Sequence, residues 1–248
     1  MDIGSRTTKV VVLEDGRPVH SCVADTGTDP LGVAQRLLAE AGADRLARVT
    51  ATGYGRHLAR EHLGCTVVTE IRAHALGASL LFPACHTVID VGGQDSKVIR
   101  VSAGKQASFE MNDRCAAGTG RFLEVMAAAL GYTLAEFGQA ALEASSSVTV
   151  NSMCTVFSES EVVSLIARGA DKHAIARGLH ESIVDRLLAL VGRVGAEPEV
   201  VLSGGVALNP CIRTLLESRL GVRLLVPDRP QLVGAIGAAL SANGVTSV

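Results

Sequence analysis

Two segments of the chain repeat one pattern of residues. DIGSRTTKVVVL (2–13) and DVGGQDSKVIRV (90–101) each start with Asp, place Gly two positions later, pass through a polar turn to Lys and end in a Val-rich strand. Their first residues, Asp2 and Asp90, are 88 positions apart. This distance is too long for a solenoid unit and suits a duplicated domain. The repeat therefore predicts two related α/β lobes with a cleft between them.

Strand and helix patterns fill the rest of the chain. Residues 9–25 predict a β-hairpin with Asp15 and Gly16 at its turn. Further strands are predicted over 47–56, where the strand runs into a glycine turn, and over 65–70, 199–205 and 222–227. Apolar periodicity predicts helices over 31–42, 71–82, 121–131, 134–144, 157–169, 171–194, 208–221 and 231–242. The alternation of strands and helices is typical of the α/β class.

Composition argues against several classes of protein. Of the 248 residues, 48% are apolar and 19% are charged, which suits a chain with a large core and not a disordered one. Aromatic residues make up 3% and the net charge is −2 without a basic stripe, so no nucleic-acid partner is expected. The most apolar window, 75–91, is broken by Pro83 and His86 and is too short to span a membrane. Without a signal-peptide pattern, the chain is expected to be a soluble cytoplasmic protein.

The two repeated turns have the residues of a phosphate-binding site. Glycine at a turn lets backbone amides approach a phosphate closely. Asp2 and Asp90, each at the end of a strand, are expected to hold Mg²⁺ mainly through water, and Gln94 is a candidate to orient an attacking water. Further candidate nucleotide ligands are Gly4, Ser5, Thr7, Thr8, Lys9, Gly92, Gly93, Asp95, Ser96 and Lys97. Lys9 and Lys97 are equally compatible with exposed hairpin lysines.

A third element, VLSGGVALNP (201–210), joins a strand to a helix through two glycines. Such a turn lets an adenosine lie against the backbone, so the candidate nucleotide ligands here are Ser203, Gly204, Gly205 and Asn209. Glu70 stands at the end of a predicted strand. It is a candidate contact for the water shell of the magnesium ion and is as easily explained as a helix-initiating Glu.

Six cysteines occur without a C-x-x-C pair, which argues against a zinc ribbon. The four at positions 22, 65, 85 and 211 are expected to be buried small hydrophobes. Cys115 in NDRCAAGTGRFLE (112–124) and Cys154 in NSMCTVFSES (151–160) each precede a helical run, whose free amides favour an anionic group. Their spacing alone leaves two interpretations open, buried thiols or helix caps on one hand and metal ligands on the other.

Small residues follow Cys115, which would let the backbone approach a bound group: Ala116, Ala117, Gly118 and Gly120. After Cys154, Ser158 and Glu161 fit the S-x-x-E pattern of a capping box. This pattern predicts that the second helix begins near Ser158. The prediction is purely structural and assigns no catalytic role to either residue.

The three nucleotide motifs resemble the superfamily of sugar kinases, heat-shock proteins and actin, whose duplicated ribonuclease-H-like lobes clamp ATP. More specifically, DIGSRTTK, TGYGR, TEIRAHALGA, DVGGQDSK, NDRCAAGTGRFLE and LSGGVALNP resemble the 2-hydroxyacyl-CoA dehydratase activators. These form one family with the ATPase subunits of ATP-dependent benzoyl-CoA reductases. The resemblance covers nearly the whole chain, in order. It implies actin-like ATPase lobes with a nucleotide cleft between them, an N-terminal lobe of residues 1–84 plus 232–248 and a C-terminal lobe of residues 85–231.

The resemblance also implies cofactors and partners. One [4Fe–4S] cluster would lie on the axis of a homodimer, held by Cys115 and Cys154 of each subunit, because such clusters need four thiolates. ATP or ADP with Mg²⁺ would occupy the cleft. The activity implied is an ATPase that drives a low-potential electron from the cluster to an iron–sulfur enzyme acting on an acyl-CoA, with ferredoxin or flavodoxin as the donor. Family members usually have a few residues before the first Asp; here Met1 directly precedes it, so a short first strand is expected.

Other functions share parts of this pattern. Within the family, the chain is alternatively the ATPase subunit of a benzoyl-CoA reductase or the reductase of a double-cubane cluster protein. A small-molecule kinase of the same superfamily would need an acceptor site with a base, and no distinct loop in the sequence supplies one. A nucleotide-switched binding protein would share the ATP motifs but would have no use for Cys115 and Cys154.

Overall fold

The computed structural model describes residues 1–42, 48–150 and 154–242. The strands are β1 Asp2–Ile3, β2 Thr7–Glu14, β3 Arg17–Asp25, β4 Thr50–Ala51, β5 Thr66–Val67, β6 Thr87–Val91, β7 Ser96–Ser102, β8 Lys105–Asn112, β9 Val200–Ser203 and β10 Leu224–Leu225. The helices are α1 Pro30–Glu40, α2 Arg56–Leu63, α3 Glu70–Leu81, α4 Gly120–Leu130, α5 Leu134–Glu143, α6 Thr155–Ala167, α7 Lys172–Val194, α8 Pro210–Leu220 and α9 Val233–Ala242. Short 3-10 helices cover Gly205–Leu208 and Pro230–Leu232. Among these described helices, none combines the length and apolar character needed to cross a bilayer.

Both halves of the chain arrange their strands in the same order. In the second half the order is β10-β9-β6-β7-β8, with the first strand of that half, β6, at the centre. In the first half β3-β2-β1 form an antiparallel sheet, a bridge from Asp2 to Thr52 extends it, and β4 pairs with β5 in parallel. Asp2 pairs with Lys9 in one register, and Asp90 pairs with Lys97 in the other. The predicted fold of two related α/β halves is confirmed by this repeated order and register.

The hairpin of β2 and β3 turns where the sequence predicts. Asp15 and Gly16 connect the strands with φ of +50° and +77°. Two consecutive residues with positive φ form the tight turn whose twist matches that of antiparallel strands, and Asp-Gly is one of the pairs that tolerates it. The predicted hairpin is therefore confirmed.

Helices α3 and α9 are exchanged between the two halves. Helix α3 follows β5 of the first half, yet Ile71 and Ala78 pack in one cluster with Val88 of the second sheet. Helix α9 follows β10 of the second half, yet Ile236 packs with Val11 of the first sheet. The division of the chain at 84/85 and 231/232 stays a prediction, whereas this exchange of helices is a feature of the packing.

The exchanged helices cross at two glycines. A Cβ built on Gly77 would overlap the carbonyl oxygen of Val233 and lie 3.0 Å from its carbonyl carbon. A Cβ built on Gly237 would likewise overlap the carbonyl oxygen of Ala73 and lie 2.5 Å from its carbonyl carbon. Only glycine allows the two backbones to approach this closely. The crossing therefore joins the halves through backbone contact instead of through long side chains.

Helix α2 is an element that the sequence patterns do not predict. Residues 56–63 follow the predicted glycine turn, and of the eight only Ala59 is buried. At eight residues the segment is shorter than the window over which apolar periodicity identifies a helix. The helix ends at Gly64, whose φ of +66° places it in the left-handed region typical of a helix C-terminus.

The predicted capping box at Ser158 and Glu161 is wrong. Helix α6 begins at Thr155 with Cys154 as its N-cap, one turn before the predicted start. Ser158 is therefore inside the helix, fully buried, and its N–H donates to the carbonyl oxygen of Cys154 at 2.8 Å. The S-x-x-E pattern occurs here within a helix, where the i to i+3 spacing places both residues on one side.

Candidate functional site

A cleft with a volume of about 460 Å³ lies where the two repeated hairpins face each other. The predicted site residues that line it are Asp2, Gly4, Ser5, Thr7, Lys9, Glu70, Asp90, Gly92, Gly93, Asp95, Gly204, Gly205 and Asn209. The other predicted nucleotide residues lie elsewhere: Gln94 is exposed, whereas Thr8, Ser96, Lys97 and Ser203 are buried next to lining residues. The structure thus brings all three sequence motifs to one cavity.

The two glycine turns have the same local geometry. The Gly4 N–H donates to the carbonyl oxygen of Thr7 at 3.1 Å, and the Gly92 N–H donates to that of Asp95 at 2.9 Å. A Cβ on Gly92 would lie 2.6 Å from Oδ1 of Asp95, so a side chain at this position would clash with Asp95. Paired turns of this kind, facing one cavity, suit the binding of an anion by backbone amides.

Thr8 supports the first turn from behind. Thr26 Oγ1 donates to the carbonyl oxygen of Gly4 at 2.8 Å, and Thr8 Oγ1 lies 3.0 Å from Thr26 Oγ1. Since the Thr26 hydroxyl uses its proton on Gly4, the Thr8 hydroxyl donates to Thr26. The Thr8 side chain is fully buried in this chain of hydrogen bonds. Its role in the structure is to hold the turn, with no atom facing the cleft.

Lys97 is buried among three carboxylates. Its Nζ lies 2.9 Å from Glu70 Oε1, 3.1 Å from Asp90 Oδ2 and 3.1 Å from Asp95 Oδ1. Burial alone would lower the pKa of Lys97, but the three carboxylates raise it well above its ordinary value. Lys9 is also largely buried and lies 2.9 Å from Asp2 Oδ2. Neither lysine is therefore an exposed hairpin residue.

The pKa values of Asp90 and Asp95 are shifted in opposite directions. Burial favours the protonated form of each. At Asp90 this is outweighed by His74, by Lys97 and by the Ser203 hydroxyl, which donates to Oδ1 at 2.8 Å, so the pKa of Asp90 is below its ordinary value. At Asp95 burial dominates and the pKa is raised. The carboxylate at the end of β6 is thus the one held firmly ionised.

The acidic floor of the cleft fits a divalent cation. Asp2 Oδ1 is buried and has no hydrogen-bond partner among the described residues. The four carboxylates of this floor face two lysines and His74, so negative charge remains in excess. Carboxylates and water are the ligands that Mg²⁺ prefers. Asp2 and Asp90, at equivalent strand ends, are the residues that would hold this ion through its waters.

Glu70 combines the two roles that the sequence left open. It is the first residue of α3, whose N-cap is Thr69, and its side chain also lines the cleft. His74 lies one turn further along α3, and its Nδ1 lies 3.3 Å from Asp90 Oδ1. This Nδ1 has no hydrogen-bond partner among the described residues. His74 is not among the residues that the sequence motifs predict. The i to i+4 spacing of Glu70 and His74 in TEIRAHALGA is the signal that places both on one face of the helix.

The third motif brings backbone to the cleft at Gly204. This residue has a φ of +85°, and a Cβ on it would lie 2.6 Å from the carbonyl carbon of Val91. Both the backbone conformation and the space therefore require glycine. Tyr54 lines the cleft on the opposite half, after Gly53, which has a φ of +83°. Gly53 and Gly204 follow equivalent strands, β4 and β9, so the duplication extends to this turn, which the sequence repeat does not show.

The Asn209 side chain has a structural role. Its Oδ1 accepts from the backbone N–H groups of Cys211 and Ile212 at 3.0 and 3.1 Å, which caps α8. Its Nδ2 lies 3.0 Å from His180 Nε2, and His180 Nδ1 lies 2.7 Å from the carbonyl oxygen of Ala176. Since that carbonyl only accepts, the proton is on Nδ1. The Asn209 amide nitrogen only donates, so Nε2 accepts and His180 is neutral. Burial lowers the pKa of His180 to about 4, which agrees with a neutral ring.

Both glycine turns, at Gly4 and at Gly92, are bonded to helix α4. The N–H groups of Gly120 and Arg121 donate to the carbonyl oxygens of Gly92 and Gly93 at 2.9 and 2.8 Å. From the first turn, the Arg6 guanidinium reaches Glu124 at 2.9 Å. The start of α4 therefore contacts the second turn through backbone hydrogen bonds and the first through an ion pair. The small residues after Cys115 serve this approach, since a Cβ on Gly120 would lie 3.0 Å from the Gly92 carbonyl oxygen.

Cys115 and Cys154 differ from the other cysteines in exposure. Both are exposed, whereas Cys22, Cys65, Cys85 and Cys211 are buried, as the sequence predicts for those four. The alternative of two buried thiols is therefore wrong for Cys115 and Cys154.

Each of the exposed cysteines lies ahead of a helix with room for a bound group. Asn112 Nδ2 donates to the carbonyl oxygens of Cys115 and Ala117 at 2.9 and 3.1 Å, which fixes the loop before α4. Cys154 is the N-cap of α6 and makes no side-chain cap hydrogen bond, so its thiol is not used to cap the helix. The neighbouring Thr155 hydroxyl is buried without a hydrogen-bond partner among the described residues. An exposed thiol at a helix start with this Thr155 hydroxyl beside it, and a second exposed thiol in the loop before α4, fit an anionic metal–sulfur group.

Comparison with known proteins agrees with this site. The chain is 42% identical over 249 residues to the (R)-2-hydroxyglutaryl-CoA dehydratase activating ATPase of Acidaminococcus fermentans, covering 98% of this chain and 95% of that protein. The crystal structure of component A of that dehydratase, from the same organism, matches with a TM-score of 0.91 and 41% identity, covering 98% and 96% of the two chains. The activator of 2-hydroxyisocaproyl-CoA dehydratase from Clostridium difficile with bound ADPNP matches with a TM-score of 0.88 and 39% identity, over 97% and 92%.

More distant matches agree with the same fold and family. One of the benzoyl-CoA reductase subunits of Thauera aromatica is 37% identical over 226 residues, covering 86% of this chain and 79% of that protein. A glucokinase of the ROK family from Streptomyces griseus matches with a TM-score of 0.62 at 16% identity, over 98% of both chains, which shows the sugar-kinase type of fold alone. The BadF/BadG/BcrA/BcrD ATPase family matches residues 1–242. The resemblance drawn from the sequence motifs is therefore confirmed, and the chain belongs to the BadF/BadG/BcrA/BcrD ATPase family.

Proposed function

We propose that this protein is the ATP-dependent activator of a 2-hydroxyacyl-CoA dehydratase. It hydrolyses ATP in the cleft and drives a low-potential electron to an iron–sulfur partner enzyme from a [4Fe–4S] cluster shared by two subunits. The activator names of its relatives support the partner class, and the cleft supports the ATPase. Ferredoxin or flavodoxin is the proposed electron donor.

The bonding of α4 to both glycine turns is the observation that carries this proposal. A γ-phosphate that draws the turns at Gly4 and Gly92 together acts directly on Arg6 and on the Gly92 carbonyl, and both of these hold α4. Cys115 lies five residues before the first residue of α4. A change in nucleotide state thus has a short covalent and hydrogen-bonded route to the thiol. Differential contacts to the γ-phosphate would shift the population of α4 positions.

ATP hydrolysis uses the residues of the cleft floor. The two turns bind the phosphates, Asp2 and Asp90 hold Mg²⁺ through water, and the backbone at Gly204 and Gly205 lies beside the adenosine. The sequence makes Gln94 the candidate for the attacking water and Glu70 a contact for the magnesium waters; because Glu70 lines the cleft whereas Gln94 is exposed, Glu70 is the residue that we propose orients the attacking water. We expect Glu70→Gln to reduce kcat of the ATPase at least tenfold and Gln94→Ala to change it less than threefold. The reverse order of effects would assign the water to Gln94.

Cys115 and Cys154 are the proposed cluster ligands. Two thiolates per chain require two chains for four ligands, so the protein is proposed to be a homodimer. When bound, the cluster would supply one-electron chemistry at low potential. The chain's part is to present one thiolate at the start of α6 and the other in the loop before α4, with the Thr155 hydroxyl available to donate to sulfur.

Anaerobic purification with iron counting and native mass tests the cluster. About four iron atoms per dimer are expected. Cys115→Ser and Cys154→Ser should each lose most of the iron, with ATP binding retained. Cys22→Ala is the control: Cys22 is buried in the first half, so this variant protein should keep its iron. A monomer without iron that still hydrolyses ATP would refute the cluster and the dimer together.

A second experiment separates coupling from catalysis. Glu124→Gln weakens the ion pair with Arg6. It should leave the ATPase within about twofold of the parent and reduce ATP-dependent electron delivery several-fold, because the first turn then loses its hold on α4. Glu143→Gln, at an exposed position of α5, is the control. Equal delivery by both variants would contradict the proposed route.

A second candidate function is the ATPase subunit of a benzoyl-CoA reductase, favoured by the likeness to the reductase subunit of Thauera aromatica. Such a subunit would remain bound in a larger complex. Purification from the native source separates the two, because an activator is recovered as a separable dimer and a reductase subunit with its companions.

A further inference from the structure

A basic groove adjoins Cys115. It lies on the surface between the end of β8 and helix α7, with a volume of about 540 Å³. Three arginines line it, Arg114, Arg186 and Arg193, against a single acidic residue, Asp113. Arg193 also pairs with Glu110 beside the groove, so the local excess is one positive charge, in a chain whose net charge is −2. The sequence showed no basic stripe because two of these arginines come from α7 and one from the loop before Cys115.

The fold holds the arginines in place beside the thiol. Arg186 and Arg193 are seven residues apart on α7, hence on one face of the helix and about 10 Å apart along it. The stem of Arg186 lies over the turn that follows Cys115, since a Cβ on Gly118 would be 3.2 Å from its Cδ. The Arg193 side chain is 65% exposed and meets Glu110 only at 3.7 Å. Arg114 is exposed and directly precedes Cys115 in the chain.

This arrangement favours an extended acidic surface over a small anion. Arg186 and Arg193 leave α7 about 10 Å apart, a spacing that suits charges spread over a protein surface better than a single phosphate. Arginine is also the cation most suited to carboxylates at protein interfaces. Transient electron-transfer complexes bury little surface and depend on complementary charge. A groove that offers charge next to a redox ligand meets these requirements.

We propose that the groove beside Cys115 docks the acidic face of a small electron-carrier protein that loads the cluster. The inference rests on the proposed function, because it requires a cluster at Cys115. The step transfers one electron: the reduced carrier is oxidised by one electron and the cluster is reduced by one, with no bond made or broken. In the homodimer each subunit supplies one groove, so the cluster has two equivalent loading sites.

Direct binding tests the proposal independently of activity. The probe is an acidic ferredoxin carrying a fluorescent label, titrated with the iron-loaded dimer at about 20 mM and about 200 mM salt, which span weak and strong screening. At low salt, Arg193→Glu and Arg114→Glu should each weaken binding about tenfold, and the effect should shrink at high salt. Arg17→Glu is the control, because it makes the same charge change at an exposed position of β3 in the first half.

A second readout separates docking from damage to the cluster. Stopped-flow reduction by the ferredoxin should slow in Arg193→Glu, whereas reduction by dithionite, which needs no docking, should keep the parent rate. Native mass should still give a dimer with full iron. If the parent dimer holds full iron and Arg193→Glu binds ferredoxin as the parent does, the docking inference is wrong and the proposed function stands. If the parent holds no iron, the proposed function itself fails.

Three other results would also overturn the inference. An equal loss of affinity in Arg17→Glu would show a general charge effect. Dissociation of the Arg193→Glu dimer would assign the groove to the interface between the two protomers. Displacement of the ferredoxin by low concentrations of inorganic triphosphate would identify the groove as a site for a small polyanion.

Discussion

The crossing of α3 and α9 allows a sharp test of the fold. In Gly237→Ala the new methyl would lie 2.5 Å from the carbonyl carbon of Ala73, where ordinary contact begins at 3.4 Å. The helices must therefore separate by at least about 0.9 Å at this point to clear the carbon, and by more to clear the carbonyl oxygen, which the methyl would overlap. Overpacking of this kind costs about 1–3 kcal/mol, and the better helix propensity of alanine returns about 0.5–1 kcal/mol. Because the overlap is with backbone atoms that cannot rotate away, the upper end of this range applies, and the expected net loss in the free energy of unfolding is about 2 kcal/mol.

Gly192→Ala is the matched control for this change. Gly192 is exposed within α7, and a Cβ there meets nothing within 4 Å. The same substitution in the same kind of element should therefore stabilise the protein by about 0.5–1 kcal/mol through helix propensity alone. The two variants are predicted to differ in sign.

Urea unfolding followed by circular dichroism measures both variants, with the ATPase rate as a second readout. Because α3 carries Glu70 at its start, separation of the helices in Gly237→Ala should also reduce the ATPase, whereas Gly192→Ala should keep the parent rate. A Gly237→Ala protein as stable as the parent would refute the close crossing. Stabilisation of both variants would show that helix propensity, and not packing, decides the result.

Three further substitutions test the buried polar groups and the third motif. His180→Gln removes a group whose pKa is about 4 in the folded state against about 6.5 when unfolded; the stability of the parent should therefore fall by about 3 kcal/mol between pH 6.5 and pH 4, and the gap between parent and variant should close over that range. Parallel pH profiles would contradict a neutral buried ring. Lys97→Met leaves three carboxylates without their cation and should lower the free energy of unfolding by about 3–5 kcal/mol at pH 7, and by less at pH 5, measured in urea. Gly204→Ala should cost about 2 kcal/mol or more and abolish binding of a fluorescent ATP analogue, whereas Gly221→Ala, which also has a positive φ but lies in open space, should cost about 1 kcal/mol and bind normally.

Local signals in the sequence predict most of the fold. The pattern repeated at 2–13 and 90–101 predicts the duplication, and the Asp15-Gly16 pair predicts the hairpin, because each copy of the pattern and the turn consist of residues close together in the chain. The same holds for the helices with clear apolar periodicity. Helix α2 has only eight residues, so it is too short for apolar periodicity to identify. The false capping box at Ser158 shows the reverse error, in which a local pattern occurs inside a helix.

The candidate site was predictable at its turns and less so at its side chains. The motifs identify the glycines at 4, 92 and 204, where the backbone itself forms the site. They do not show that Thr8 holds a turn from behind or that Asn209 caps α8, since these roles depend on partners distant in the chain. Nor do they reveal the groove beside Cys115, because Arg114 and Arg193 meet only in the folded structure. Long-range contacts of this kind are set by packing and leave no local pattern.

The exchange of α3 and α9 bears on how this protein could have arisen. A single half, folded alone, would lack the helix that covers its own sheet and would carry an apolar helix with no sheet to cover. Two identical halves would resolve both problems by each lending its last helix to the other. The present chain has the geometry of such a pair joined end to end, so an ancestral half-length protein with this packing would have been an obligate dimer before its gene was duplicated and fused.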